Sequence, residues 1–300
     1  MWRSVVIYSG EHLKLENDWL VIHMPDGNEN RVPLSDLYCV VIDNPMLTIT
    51  VQLMSALAKH KIQLVTTDEK HMPVAITYPI NANYRCYKVL KKQLDMTYEF
   101  KGGVWRLIVE AKIMNQSRCL SSLWADKTVT TRLEELSKAV DYHDRTRCEG
   151  IAARIFFQQL YGSDFVRHED TSINNALDYG YAIMRSGVAK SLIAHGFNCV
   201  LGVHHIGETN DFNLADDFIE PLRPIVDQWV ATHPEDVEEG LTRYVKNSLV
   251  DLLNIEVLID SKKVKVRYAI DIMARSFVTA IETNNPSRLL LPEIIIYHEK

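Results

Sequence analysis

The sequence predicts an α+β protein: a small β-rich N-terminal domain followed by a larger all-α C-terminal domain that carries the chemistry. Three observations carry this reading. The first 85 or so residues break into short runs rich in Val, Ile, Tyr and Trp, with turn residues between them. After Pro79 the apolar residues recur at helical spacing instead. Neither an internal repeat nor a low-complexity tract interrupts that change.

Taken in order, Ser4–Tyr8, Trp19–His23, Arg31–Leu34, Tyr38–Ile42, Gln63–Thr66 and Val74–Thr77 read as strands, punctuated by Asp26-Gly27-Asn28 and Asn44-Pro45. One helix interrupts them, Met46 to His60, with Leu47, Val51, Met54, Leu57 and Ala58 on one stripe. Tyr84 to Met96 is basic and helical. Helical stripes then run over Trp105–Trp124, Thr131–Val140, Glu149–Leu160, Ile173–His195, Leu214–Val230, Pro234–Leu253 and Tyr268–Thr283, before an apolar tail, Leu289–Tyr297. The expected domains are residues 1–82, a helical linker over 83–103, and a catalytic helical domain over 104–300.

Composition narrows the function. With 47% apolar residues in 300, the chain buries a real core. No stretch approaches a membrane span, and the opening MWRSVVIYSG reads as a strand rather than a signal peptide. Five scattered cysteines without a CxxC pair argue against a disulfide framework or zinc ribbon and suit a reducing cytoplasm. A net charge of −6 excludes wholesale polyanion binding, so nucleic acid requires a local basic patch or a metal-bearing cleft.

Three segments hold more polar information than helix packing needs. Glu149 heads the otherwise apolar stripe Ala152, Ala153, Phe156, Leu160; it is either committed to a cation or simply placed in a first turn, where the helix dipole favours acids. Gly202-Val203-His204-His205-Ile206-Gly207 places two histidines in a glycine-bounded turn. Asp217 and Glu220 stand at i and i+3, bracketed by Leu214 and Phe218, so they face inward or into a cleft unless they are a terminal acid cluster capped by Asn213. Carboxylates mixed with imidazole suit Mg²⁺ or Mn²⁺ rather than thiolate-held zinc. Arg145, Arg147, Arg154 and Arg167 are placed to position phosphates beside it.

The run Ala176-Leu177-Asp178-Tyr179-Gly180-Tyr181-Ala182, the His205 turn, and Asn213 through Pro224 resemble the CRISPR-associated integrase family, the first of the numbered Cas proteins, most closely its type II versions. The spacing agrees: His205 follows Glu149 by 56 residues, and Glu220 lies 15 beyond. The resemblance implies that Glu149, His205 and Glu220 are catalytic metal ligands for Mg²⁺ or Mn²⁺, with Asp217 a further acid at the metal, as ligand or behind it. Asn175 and Tyr179, one helical turn apart, would line or brace the site. It implies strand transfer of a DNA 3′-hydroxyl onto a phosphodiester at the repeat boundary, with endonuclease action on branched DNA. It also implies homodimers formed through the N-terminal domains, a complex with the second numbered Cas protein, and, in type II systems, association with the large effector nuclease and a ring-shaped DNA-end-binding protein. Lys88, Lys91, Lys92, Arg145 and Arg147 are candidates for the double-stranded DNA path, each also an ordinary surface cation.

Three rival readings remain: an HD-type phosphohydrolase built on His143-Asp144, a non-enzymatic DNA-binding scaffold, and a structure-specific nuclease that hydrolyses without joining.

Overall fold

The computed structural model describes residues 3–77, 79, 83, 85–123 and 126–296. Tyr84, Trp124 and Tyr297, which end predicted segments, lie outside them. The chain divides into two compact units, Met1–Ala82 and Asn83–Lys300.

The first unit contains β1 (Arg3–Ile7), β2 (His12–Glu16), β3 (Trp19–His23), β4 (Glu29–Pro33), β5 (Leu37–Ile42), β6 (Thr48–Ile49), α1 (Val51–Lys59), β7 (Gln63–Thr67) and β8 (Pro73–Thr77). One sheet runs β1-β5-β7-β8, parallel except for the edge strand β8; the other runs β4-β3-β2-β6. Leu13, Leu20, Leu37, Val40, Leu53 and Leu57 lie in their shared core. Strand β2 was not expected. It pairs with β3 across a two-residue turn in which Asn17 and Asp18 both have positive φ, the twist-matched turn that short hairpins favour. The predicted helix starts late, at Val51, because Thr48 and Ile49 pair with β2 and the Thr50 hydroxyl caps the helix.

The second unit is helical: α2 (Cys86–Leu94), α3 (Tyr98–Ser122), α4 (Lys127–Ala139), α5 (Cys148–Tyr161), α6 (Ser172–Ala194), α7 (Asn213–Ile219), α8 (Arg223–Thr232), α9 (Pro234–Glu238), α10 (Arg243–Asp251) and α11 (Val266–Thr283). Residues 83–103, expected as a linker, fall inside this unit, where the Gln93 side chain donates to the carbonyls of Asn198 and Leu201. Helix α3 begins before Trp105 because Thr97 caps it and Gly102 is a packing site; a Cβ there would meet the His143 ring at 2.6 Å.

Two expected helices are each broken. A tight turn at Glu220–Leu222, forced by Pro221, separates α7 from α8, and Gly240 interrupts 234–253. The expectation of an all-α domain needs one correction: β9 (Glu256–Ile259), β10 (Lys262–Lys265) and β11 (Glu293–Ile294) form a small antiparallel sheet. Its hairpin turns at Asp260-Ser261, again both at positive φ. Stacked Phe197 and Phe277, with Phe218 tilted against them, fill the interior beneath α7 and α11.

Candidate metal centre

Glu149 is placed by the start of α5. The preceding loop turns through Arg147 at positive φ, and the Asp144 carboxylate accepts the N–H groups of Cys148 at 2.8 Å and Glu149 at 3.0 Å. Asp144 therefore serves as the helix's capping acid. His143 turns away, its Nε2 against the Tyr98 carbonyl and its ring stacked on Tyr98. That disposes of the HD pair as a metal dyad.

His205 is placed by a carboxylate. Asp217 is fully buried, and its Oδ2 accepts from the backbone of Val203 (2.6 Å) and His204 (3.1 Å). Its Oδ1 accepts from the backbone of His205 (3.0 Å) and from the His205 ring at Nδ1 (2.8 Å). A carboxylate only accepts, so Nδ1 carries the proton and Nε2 is left as the open nitrogen. The bond to Asp217 raises the pKa of His205 against the opposing effect of burial. The turn tolerates no side chain at Gly202: a Cβ would lie 2.1 Å from the His205 carbonyl and 3.0 Å from Asp217. Buried Asn213 closes the loop from below, donating to the carbonyls of Val200, Gly207 and Asn210. His204 stacks face to face on buried Trp105, centroids 4.0 Å apart, and burial lowers its pKa; Trp105 meets His205 edge-on.

Glu220 sits in the turn after α7, buried, with Oε1 accepting from Arg223 Nε at 2.8 Å. The Arg223 guanidinium lies over the Tyr181 ring, whose hydroxyl donates to buried Asp227. Lys112 of α3 joins the two acids: its Nζ is 2.6 Å from Glu149 Oε1 and 2.5 Å from Glu220 Oε2. Burial alone would lower the Lys112 pKa, but Glu220 and Glu149 outweigh it and keep the ammonium charged. Burial would likewise raise the Glu220 carboxyl, yet Arg223 and Lys112 pull it down to about 2. His205 and Glu220 also sense each other's charge, each favouring the other's ionised form.

Glu149 and Glu220 therefore come together at Lys112, and Asp217, expected either as a ligand or behind one, makes its hydrogen bonds to the 202–207 turn and to the His205 ring. Asn175 is exposed and donates to Asp170 instead of bracing the bay, whereas Tyr179 is fully buried in α6. Lys88 pairs with Glu282 and Arg145 with Asp141, while Lys91, Lys92, Arg147 and Arg154 are exposed. Arg167 is turned inward to Asn174 and Asp178. Lys112 was missed. Its signal was a lysine in register with Ile108, Val109 and Gln116, a buried face where a cation needs a partner.

Among the described residues no three His, Cys, Asp or Glu side chains form a ready-made cage, because Lys112 lies between the two acids. The donor set nevertheless fits a hard divalent cation. Glu220 Oε2 is buried and has the Lys112 ammonium as its ion-pair partner.

The order of a β-rich unit followed by a helical unit is a fold that solved structures share. A casposase bound to integration product shares it at TM-score 0.80, with 18% identity over 99% of this chain and 96% of that one. A Cas6-RT-Cas1–Cas2 complex matches at TM-score 0.73 and 18% identity, covering 99% of this chain and 36% of that longer chain. The model for CRISPR associated protein Cas1 matches residues 5–236. A CRISPR-associated endonuclease Cas1 from Neisseria meningitidis serogroup C (strain 8013) is 37% identical over 296 residues, 98% of this chain and 97% of that protein. The chain belongs to the Cas1 family.

Proposed function

We propose that this chain is the integrase subunit of CRISPR adaptation in a type II system, with cleavage of branched DNA as a companion activity. In strand transfer the 3′-hydroxyl oxygen of a prespacer end bonds to the phosphorus of a repeat-boundary phosphodiester. The bond from that phosphorus to the leaving 3′-oxygen breaks, and the proton passes from the attacking to the leaving oxygen through solvent or a base. The observation that carries this reading is the convergence of Glu149 and Glu220 on one point, the Lys112 ammonium.

Each residue then has a task. Glu149 and Glu220 supply anionic oxygens. Arg223 occupies Oε1 of Glu220, so only Oε2 is offered to the bay. Asp217 fixes the His205 tautomer, so that Nε2 is presented with its lone pair outward. A bound Mg²⁺ or Mn²⁺ would polarise the phosphoryl oxygen and offset charge on the attacking and leaving oxygens. Exposed Lys91, Lys92 and Arg147 are available to DNA phosphates. Lys88 and Arg145 join them by exchanging surface partners, since exposed ion pairs contribute little. The working assembly is a homodimer through the N-terminal units, bound to Cas2, with the type II effector nuclease and the ring-shaped end-binding protein as further partners.

The test incubates the protein and its Cas2 partner with a duplex bearing free 3′-hydroxyls and a supercoiled plasmid carrying a leader and repeat. Joined product that requires Mn²⁺ or Mg²⁺ and is lost in His205→Ala and Glu220→Ala is the expected result. Joining that survives both substitutions means that the ligands are elsewhere. Metal-dependent hydrolysis without joining favours the nuclease reading.

A further inference from the structure

Glu220 makes two contacts with cations, and they differ in kind. Arg223 holds Oε1 by an aligned hydrogen bond at 2.8 Å and is itself fixed over Tyr181. Lys112 is shared between two acids, 2.5 Å from Oε2 of Glu220 and 2.6 Å from Oε1 of Glu149. A lysine ammonium is a compact charge on a flexible four-carbon stem, able to withdraw in a way that a stacked guanidinium is not. The Lys112 side chain is 11% exposed and comes from α3, a helix buried along most of its length, so its charge is confined to this bay.

We propose that Lys112 is the resident counter-cation of this site, and that a divalent ion enters by displacing its ammonium from between Glu149 and Glu220. This rests on reading those acids as metal ligands. Before the ion arrives, the ammonium keeps two buried carboxylates from repelling each other and holds them at a common point. Once it arrives, both cations cannot occupy that point, because like charges repel strongly in a partly dry bay. Metal affinity is therefore set by a competition with the chain's own lysine, and Lys112 is a positioning residue rather than a catalytic one.

The test measures Mn²⁺ binding to the purified full chain, without DNA, from the EPR signal of free Mn²⁺, and Tm with Mn²⁺ or EDTA. Wild type, Lys112→Met, Lys112→Gln and Glu220→Ala are compared. The neutral variants should bind Mn²⁺ about tenfold or more tightly than wild type. They should have a lower Tm in EDTA and a larger rise in Tm on adding Mn²⁺. A Lys112→Met protein that folds only with Mn²⁺ present supports the exchange equally, and Lys112→Gln, which keeps a hydrogen-bond donor, then supplies the affinity. Binding that is lost in Glu220→Ala but unchanged or weakened in both Lys112 variants overturns the exchange and leaves the metal site standing. No Mn²⁺ binding in any form, or binding indifferent to Glu220→Ala, overturns the metal site as well.

Discussion

Asp217 and Glu220 lie one helical turn apart on a continuous stretch, and both are buried, yet their surroundings differ in kind. Asp217 faces the 202–207 turn and receives three backbone N–H groups and one imidazole N–H. Glu220 faces α3 and α8 and receives two side-chain cations. A carboxylate with every lone pair engaged by fixed donors is a structural bracket: leaving those donors unmet would cost about 1–3 kcal/mol each. A carboxylate balanced by a mobile charge can exchange that charge. Spacing alone makes the two acids equivalent; their partners decide which one is free for chemistry.

The comparison can be broken most forcefully on the exchangeable side. Glu149→Ala should lower metal-dependent joining and branched-DNA cleavage by at least about a hundredfold, because it removes one of the two anionic oxygens that would hold the divalent ion at the reacting phosphate. Retained turnover in a gel assay would remove Glu149 from the site. On the bracket side, Asp217→Asn keeps the volume but leaves a single accepting oxygen where two are used. It should cost about 10–100-fold in metal affinity and lower Tm, whereas an unchanged Kd for Mn²⁺ would mean that the turn holds itself. Gly202→Ala attacks the same turn through sterics, and a loss of about tenfold in rate at saturating metal is expected from sub-ångström displacement of His205.

A third carboxylate sharpens the contrast by taking its hydrogen bond from a neutral hydroxyl. Asp227 accepts from the Tyr181 hydroxyl, and burial raises its pKa to about 7. A raised folded-state pKa means that the unfolded chain ionises first as pH rises. Stability is then complete below about pH 4 and is lost progressively up to about pH 7. Tm should therefore fall by about 3–6 °C between pH 5 and 8 in wild type, and by less in Asp227→Asn. A slope identical in both proteins would assign the pH dependence to other groups. Smallest of all, Asn175→Ala, on the exposed face of α6, should change joining by less than about twofold.

Much of the architecture was legible from pattern. The switch from short β-branched and aromatic runs to helical stripes marks the β-rich and helical regions, whereas Glu149, His205 and Glu220 were singled out as a set only through the family resemblance, each being ambiguous in its own segment. What escaped was set by pairing at a distance or by backbone chirality. Strands β2 and β9 to β11 are short, and their hairpins turn on Asn17-Asp18 and Asp260-Ser261, where no glycine announces the positive φ. Lys112 lies 37 residues before Glu149 and 108 before Glu220, so only the fold reveals what it neutralises. Asn175 misled because one helical turn from Tyr179 suggested a common face, while its neighbour Asp170 draws it outward.

The edge strand β11 carries one more implication, for the order in which the protein becomes competent. Buried Asn115 donates to the carbonyl of Pro221, next to Glu220, at 2.7 Å, and to that of Pro292 at 2.9 Å, while accepting from the N–H of Ile294 at 3.0 Å. The turn that presents Glu220 is thus clamped by residues made some seventy positions later. During synthesis, when the N-terminal part folds first, the bay stays unfinished until residues 292–294 are available to Asn115. A nascent chain is thereby kept from completing its acid bay before β11 has been made.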